Sequence, residues 1–278
     1  MNFTEIFDRY NWEEEKTSIL NKTSEDVRIA LSKAGKRDIE DFKALISPAA
    51  LYFLEEMAFL SRKLTLQRFG NTIQMYAPMY LSNECQNICT YCGFSLDNKL
   101  PRITLSESQI LKEAEAIKSQ GFEHILLVTG EANKTVGIEY FKKAVNLLKP
   151  LFANISIEVQ PLEEEEYKEL VNLGLHSVLV YQETYNKVTY KEHHPKGKKS
   201  NFNYRLATPE RLGSTEIHKI GLGVLLGLSD WRTDSLFTAL HLAYLEKKFW
   251  KTKYSISFPR LRPAEGVNNT HLNLSACS

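Results

Sequence analysis

From residue 72 onward, apolar runs of strand length alternate with stretches of helical periodicity, and this alternation constrains the fold more than any other feature. Residues 72–77, 125–129, 155–159, 178–181, 222–226 and 254–258 read as six strands. Between them, Ile110, Leu111, Ala114 and Ile117 share one helical face, opened by a capping box at Ser106 and Gln109 and closed by Gly121. Further helices are expected at 140–148, after Pro161, and at 236–249. Strands joined through helices imply parallel βαβ units and an α/β fold. Open doubly wound sheets and (β/α) barrels both satisfy this pattern.

Residues 1–71 read instead as an N-terminal helical extension. Val27, Ala30 and Leu31 recur at helical spacing, and a second helix starts with Pro48 in its first turn and stops at Gly70. A complete eight-unit barrel takes about 250 residues. The stretch 72–266 therefore has room for about six units, and the barrel is expected to be incomplete. Residues 267–278 are polar, show no strand or helix pattern, and read as an irregular tail.

Composition excludes several functions. Thirty-five Lys and Arg against 34 Asp and Glu give a net charge of +1, so no global field draws the chain to nucleic acid or anionic lipid. No apolar run approaches the roughly 20 residues of a membrane span. Residues 1–12 lack the basic-then-apolar pattern of a signal peptide, which points to the cytoplasm. In that compartment, four cysteines are metal ligands or catalysts sooner than disulfide partners. The four glutamates at 163–166 read as a helix N-terminus satisfying its dipole, not as a metal site.

The chemistry concentrates in Cys85, Cys89 and Cys92, a C-x3-C-x2-C pattern in the loop after the first strand. Three thiolates within eight residues suit one iron–sulfur cubane, whose fourth iron is left free to bind a small molecule. Zinc is the alternative. It prefers four protein ligands, usually as two separated pairs, and Cys277 lies far away in the tail.

This spacing, with Tyr91 before the third cysteine, resembles the radical S-adenosylmethionine (SAM) superfamily. The resemblance implies a full or partial (β/α) TIM-type barrel with a [4Fe–4S] cluster at the C-terminal mouth of the strands. It also implies that the open iron binds the amino and carboxylate groups of SAM, which reductive cleavage turns into methionine and a 5′-deoxyadenosyl radical. The chemistry is then carried by SAM, and no catalytic side chain is expected. Thr129-Gly130-Glu131 stands where the superfamily has a Gly-Gly-Glu-like turn on the SAM amino group, with threonine as the departure. Glu158 and Gln160 end the third strand, which in the superfamily faces the ribose. Tyr181 and Glu183 end the fourth strand, and Leu225 lies in a segment that the superfamily stacks against adenine.

Two further features stand on the residues alone. Arg205 suits a carboxylate clamp, since guanidinium binds carboxylate bidentately, while the basic run 193–199 before it reads as a solvated loop. Arg260 and Arg262 suit the carboxylate of an amino-acid substrate, with salt bridging at the rim as the alternative.

Four motifs in order narrow the resemblance. They are Cys89-Thr90-Tyr91-Cys92-Gly93-Phe94, Tyr181-Gln182-Glu183-Thr184-Tyr185, Gly227-Leu228-Ser229-Asp230-Trp231-Arg232 and Ser257-Phe258-Pro259-Arg260-Leu261-Arg262-Pro263. They look like the tyrosine lyases of thiamine thiazole synthesis, the 2-iminoacetate synthase family, from about Phe3 to Glu265. That resemblance implies cleavage of the Cα–Cβ bond of L-tyrosine to 2-iminoacetate and p-cresol. It also implies delivery of the imine to thiazole synthase, and an electron donor such as flavodoxin or ferredoxin. The related hydrogenase-maturation tyrosine lyases add a C-terminal cysteine cluster, where this chain has only Cys277. The similarity stops after Gly266, as a C-terminal truncation would leave it. A non-catalytic remnant or scaffold that binds thiazole synthase, another radical SAM aromatic amino-acid lyase and a zinc-binding regulator remain as alternatives at this stage.

Overall fold

Side-chain caps define the first helices. Asn2, Asn11, Thr23 and Asp38 each offer an oxygen to a backbone N–H two or three residues ahead. They open α1 (Phe3–Phe7), α2 (Trp12–Leu20), α3 (Ser24–Ser32) and α4 (Ile39–Leu45). The helix expected from Pro48 resolves into two pieces, a 3-10 turn at Pro48–Phe53 and then α5 (Leu54–Phe69), which Gly70 ends at φ 62°. The structure, a computed structural model, describes residues 2–33, 35–264 and 266–267. The tail read at 267–278 lies almost wholly outside the described residues, as does Cys277.

The expected alternation follows. β1 (Ala77–Ser82), α6 (Glu107–Ser119), β2 (His124–Thr129), α7 (Ile138–Leu148), β3 (Asn154–Glu158), α8 (Glu164–Asn172) and β4 (Ser177–Leu179) come first. After them come α9 (Lys187–His193), α10 (Phe202–Leu206), α11 (Thr208–Gly213), β5 (Lys219–Gly223), α12 (Trp231–Lys248) and β6 (Lys253–Ser257). The six strands pair in chain order, all parallel, with β1 and β6 as the two edges of the sheet. The capping box forms as read, Ser106 receiving Gln109 N–H and Gln109 answering on Ser106 N–H. The glutamate run also behaves as read: Glu163 is the N-cap of α8 and Glu166 accepts its N–H at 2.8 Å.

One strand sits elsewhere than its sequence pattern says. The alternation at 72–77 is solvent-facing, with Ile73 85% and Met75 65% exposed. The first strand begins where that run ends, and its inward residues are Met79 and Leu81. Pro78 masks it in the sequence, but an edge strand tolerates a missing N–H.

The core lies between the sheet and its helices. Ile125, Leu127, Ile155, Ile157, Val178 and Ile220 meet Phe141, Ala144, Val145 and Leu148 of α7. Truncating a buried phenylalanine such as Phe141 would cost about 3–5 kcal/mol. The N-terminal helices are not a free appendage. Phe3 stacks on His241 of α12 at 3.7 Å, and Phe7 packs with Tyr185 and Phe237 just beyond β4. No single helix among the described residues is long and apolar enough to cross a membrane. Because all six strands run the same way, their C-terminal ends share one rim, and the loops leaving them build the site.

Candidate active site

The loop leaving β1 carries the three cysteines and is fastened on both sides. Cys89 N–H donates to Ser95 Oγ at 3.0 Å, Ser95 Oγ donates to Asp97, and Leu96 N–H donates to Asn87 O at 2.8 Å. Arg102 spans the turn, its NH1 donating to Asn83 O and Phe94 O and its NH2 to Ser95 O. On the other side Gln86 N–H donates to Glu131 O at 2.9 Å, so the loop lies on the end of β2. That approach needs Gly130, where a Cβ would stand 2.2 Å from Glu84 O and 3.3 Å from the Cys85 Cβ.

Cys85, Cys89 and Cys92 are free thiols lining one cavity of about 260 Å³. Burial pushes the Cys89 thiol up to about 12, against the pull of Lys199. Among the described residues no three His, Cys, Asp or Glu side chains converge closely enough to share one ion. A single zinc requires such convergence at about 2.3 Å per sulfur, whereas a cubane takes one thiolate on each of three irons. Three thiols lining one cavity match a cubane's need for one thiolate on each of three irons.

Seven of the sequence-predicted cofactor residues line this same cavity: Tyr91, Gly130, Glu131, Glu158, Tyr181, Glu183 and Arg205. Four charges among them and their neighbours form a buried chain. Arg205 NH1 donates to Glu131 Oε1 at 2.8 Å, and its Nε to Tyr181 O at 2.6 Å. Arg205 NH2 stands 3.6 Å from Glu183 Oε1, which accepts a hydrogen bond from Lys199 Nζ at 2.7 Å. Asn87 Nδ2 completes Glu131 at 2.8 Å. Burial pushes the Glu131 carboxyl up, but Arg205 and Lys199 outweigh it and hold the group below the usual carboxylate range. Glu158 has no such partner, and burial, reinforced by Glu183, pushes it up to about 7. Glu183 stands at φ 71°, a conformation that non-glycine residues rarely adopt. Its carbonyl receives Leu225 N–H at 2.8 Å while its carboxylate is held by Lys199.

The basic run 193–199, read in the sequence as a solvated loop, is instead a strap laid antiparallel on the cysteine loop. Thr90 N–H donates to His193 O at 3.1 Å and Ile88 N–H to Lys196 O at 3.0 Å. His194 is fully buried. Its Nδ1–H donates to Tyr190 O at 2.7 Å, which leaves Nε2 to accept the Tyr91 hydroxyl at 2.8 Å. Lys199 N–H donates to Asn87 Oδ1 at 3.0 Å. Lys199, His194 and Asn87 are thus site residues that sequence reasoning missed. Gly197 inside a run of lysines was the available signal.

Other predicted residues stand apart. Gln160 is 2% exposed and lines a neighbouring cavity of about 300 Å³, whose wall of Glu131, Lys199 and Arg205 it shares with the cysteine cavity. Gln160 Nε2 donates to Val136 O at 2.6 Å. Leu225 is half-buried beyond β5 and lines neither cavity. Arg260 and Arg262 are exposed beyond the edge strand β6, and neither meets a carboxylate within 4 Å among the described residues.

Comparison with known proteins places this geometry. The family model of the Radical SAM superfamily matches residues 79–240. The chain is 51% identical over 265 residues to the 2-iminoacetate synthase of Escherichia coli (strain K12), covering 95% of this chain and 70% of that protein. It is 49% identical over the same length to the 2-iminoacetate synthase of Salmonella typhimurium, again with 95% and 70% coverage. Among solved structures, HydG, a maturase of the [FeFe]-hydrogenase, superposes with a TM-score of 0.89 at 28% identity. That match covers 94% of this chain and 60% of HydG, so the chain spans less than two thirds of that relative's length.

Proposed function

The chain belongs to the radical SAM superfamily and, within it, to the 2-iminoacetate synthases, and on that premise we propose that it cleaves the Cα–Cβ bond of L-tyrosine to give 2-iminoacetate and p-cresol. The observation that carries this reading is the 51% identity to a 2-iminoacetate synthase along 265 residues, a span that includes the cysteine loop and every strand end of the rim. Its cofactors are a [4Fe–4S] cluster and SAM, which together supply the radical chemistry when bound. The identity to 2-iminoacetate synthases favours this reading over a zinc-binding regulator.

The chain's own residues then have defined work. Cys85, Cys89 and Cys92 would hold the cluster. Gly130 lets the cysteine loop approach the β2 end, and Glu131 faces the SAM ammonium group, with Arg205 as partner to a carboxylate. Glu158 and Gln160 face the ribose. Tyr91, Tyr181 and Glu183 border the nucleoside, whereas Leu225, Arg260 and Arg262, which line neither cavity, take no part in this reading. Glu158 is suited to hold or release a proton near neutral pH, because its pKa stands at about 7. The buried chain from Glu131 to Lys199 fixes four charges before any ligand arrives, so little reorganisation is needed on binding.

Thiazole synthase is the proposed acceptor of the imine, which water would otherwise hydrolyse. A flavodoxin or ferredoxin is the proposed electron source. An oxygen-sensitive cluster also suits a reducing compartment, the cytoplasm. The test is anaerobic reconstitution with iron and sulfide, followed by tyrosine, SAM and a reductant. Chromatography should show p-cresol, 5′-deoxyadenosine and glyoxylate, the hydrolysis product of the imine. A fully assembled cluster with no p-cresol would refute the assignment.

A further inference from the structure

The strap over the cysteine loop ends in a buried cation. Lys199 lines the cavity that holds all three cysteines, and its side chain is 11% exposed. Its ammonium stands 5.8 Å from the centroid of the Tyr91 ring, the residue between Cys89 and Cys92 in the loop. Its backbone is tied to the same loop through Asn87 Oδ1. The strap packs directly on the loop, because Gly197 sits against it at φ 97°, where a Cβ would lie 2.2 Å from Asn87 Oδ1 and 2.7 Å from Gln86 O. Thr90–His193 and Ile88–Lys196 bonds hold the rest of its length. The fold thus fixes one ammonium group beside the place where the cluster would sit.

We propose that Lys199 is a positioning charge that sets how readily this cluster accepts an electron, with Glu183 opposing it. This inference rests on the reading that Cys85, Cys89 and Cys92 hold a [4Fe–4S] cluster. Reduction adds one negative charge in a cavity where the local dielectric is low, so a fixed cation stabilises the reduced form more than the oxidised one. The other cation of the cavity is less free to act, since Arg205 is paired with Glu131 and donates to Tyr181 O. Among the described residues Lys199 has a single carboxylate partner, Glu183, at 2.7 Å. That pairing moderates the effect, and removing either member moves the potential in opposite directions.

The experiment is an EPR-monitored redox titration of reconstituted protein without SAM, with iron content and thermal unfolding as controls. Lys199→Met should lower the one-electron reduction constant at least tenfold, about 59 mV more negative, while Lys199→Arg stays within twofold of the parent. Glu183→Gln should shift the constant upward, and it decides the matter if Lys199→Met takes up no iron. Equal potentials in the parent, Lys199→Met and Glu183→Gln, each with a full cluster, would overturn the role of Lys199 and leave the cluster reading intact. A parent protein that assembles no cluster would overturn both.

Discussion

Arg205→Met is the substitution that most sharply probes the buried charges of the rim. Arg205 and Glu131 side chains are 6% and 12% exposed, and their 2.8 Å bond is reinforced by Arg205 Nε on Tyr181 O. Removing one partner of such a pair leaves the other charge buried and uncompensated, at a cost of about 3–5 kcal/mol. In the parent, Arg205 and Lys199 hold the Glu131 carboxyl below its usual range despite burial. Its pairing therefore stabilises the fold above the unfolded glutamate pKa of about 4.3 and loses that contribution as pH falls through the lower folded value. Without Arg205, burial prevails and the folded pKa of Glu131 rises. The variant should then be least stable near neutral pH and recover as Glu131 takes up a proton, by up to about 1.4 kcal/mol per pH unit. Urea unfolding of the metal-free protein at pH 5.5 and 7.5, followed by circular dichroism under reducing conditions, reads this directly. Adding Glu131→Gln to Arg205→Met should restore at least half of the loss at pH 7.5. A loss below about 1 kcal/mol, independent of pH and unaffected by the second substitution, would refute the reasoning.

Two other positions give independent predictions. Gly130→Ala places a methyl against Glu84 O and the Cys85 Cβ, so the variant should lose about 1–3 kcal/mol through overpacking and bind less iron and sulfide per chain than the parent, as measured after reconstitution. Asp234, which accepts Tyr185 N–H at 2.7 Å and Thr184 Oγ1–H at 3.0 Å just past Glu183, is pushed up to about 8 by burial. A carboxyl raised in the fold costs stability as pH climbs from its unfolded value of about 3.9 toward 8, so Asp234→Asn should flatten the fall in Tm across that range while keeping both hydrogen bonds.

What was legible in the sequence followed from local chemistry. Ser106 and Gln109 announced α6, and the apolar run before Thr129 announced β2, because caps and buried strands leave a signature in a few adjacent residues. Strand ends were less legible. β4 stops at Leu179 and β5 at Gly223, and beyond them the regular ladder gives way to single bridges, Glu183 with Val224 and Leu226 with Arg260. Apolar residues continue past those ends, so periodicity overran them. The cysteine cavity was legible because its thiols and strand-end carboxylates fall at fixed places along the chain. Lys199 was not, because a run of lysines looks solvated whenever its counter-charge, here Glu183, lies 16 residues away in the chain. Arg260 and Arg262 sit on the edge strand's exit, and no described carboxylate gives either one a partner that sequence spacing might have revealed.

Spectroscopy of anaerobically reconstituted protein tests the central claim most directly. Mössbauer and EPR spectra should show one [4Fe–4S] cluster per chain, with a reduced-state signal that changes when SAM is added, because three cysteines leave one iron free to take the ligand. Zinc in place of iron, or a cubane whose spectrum SAM leaves unaltered, would contradict the account.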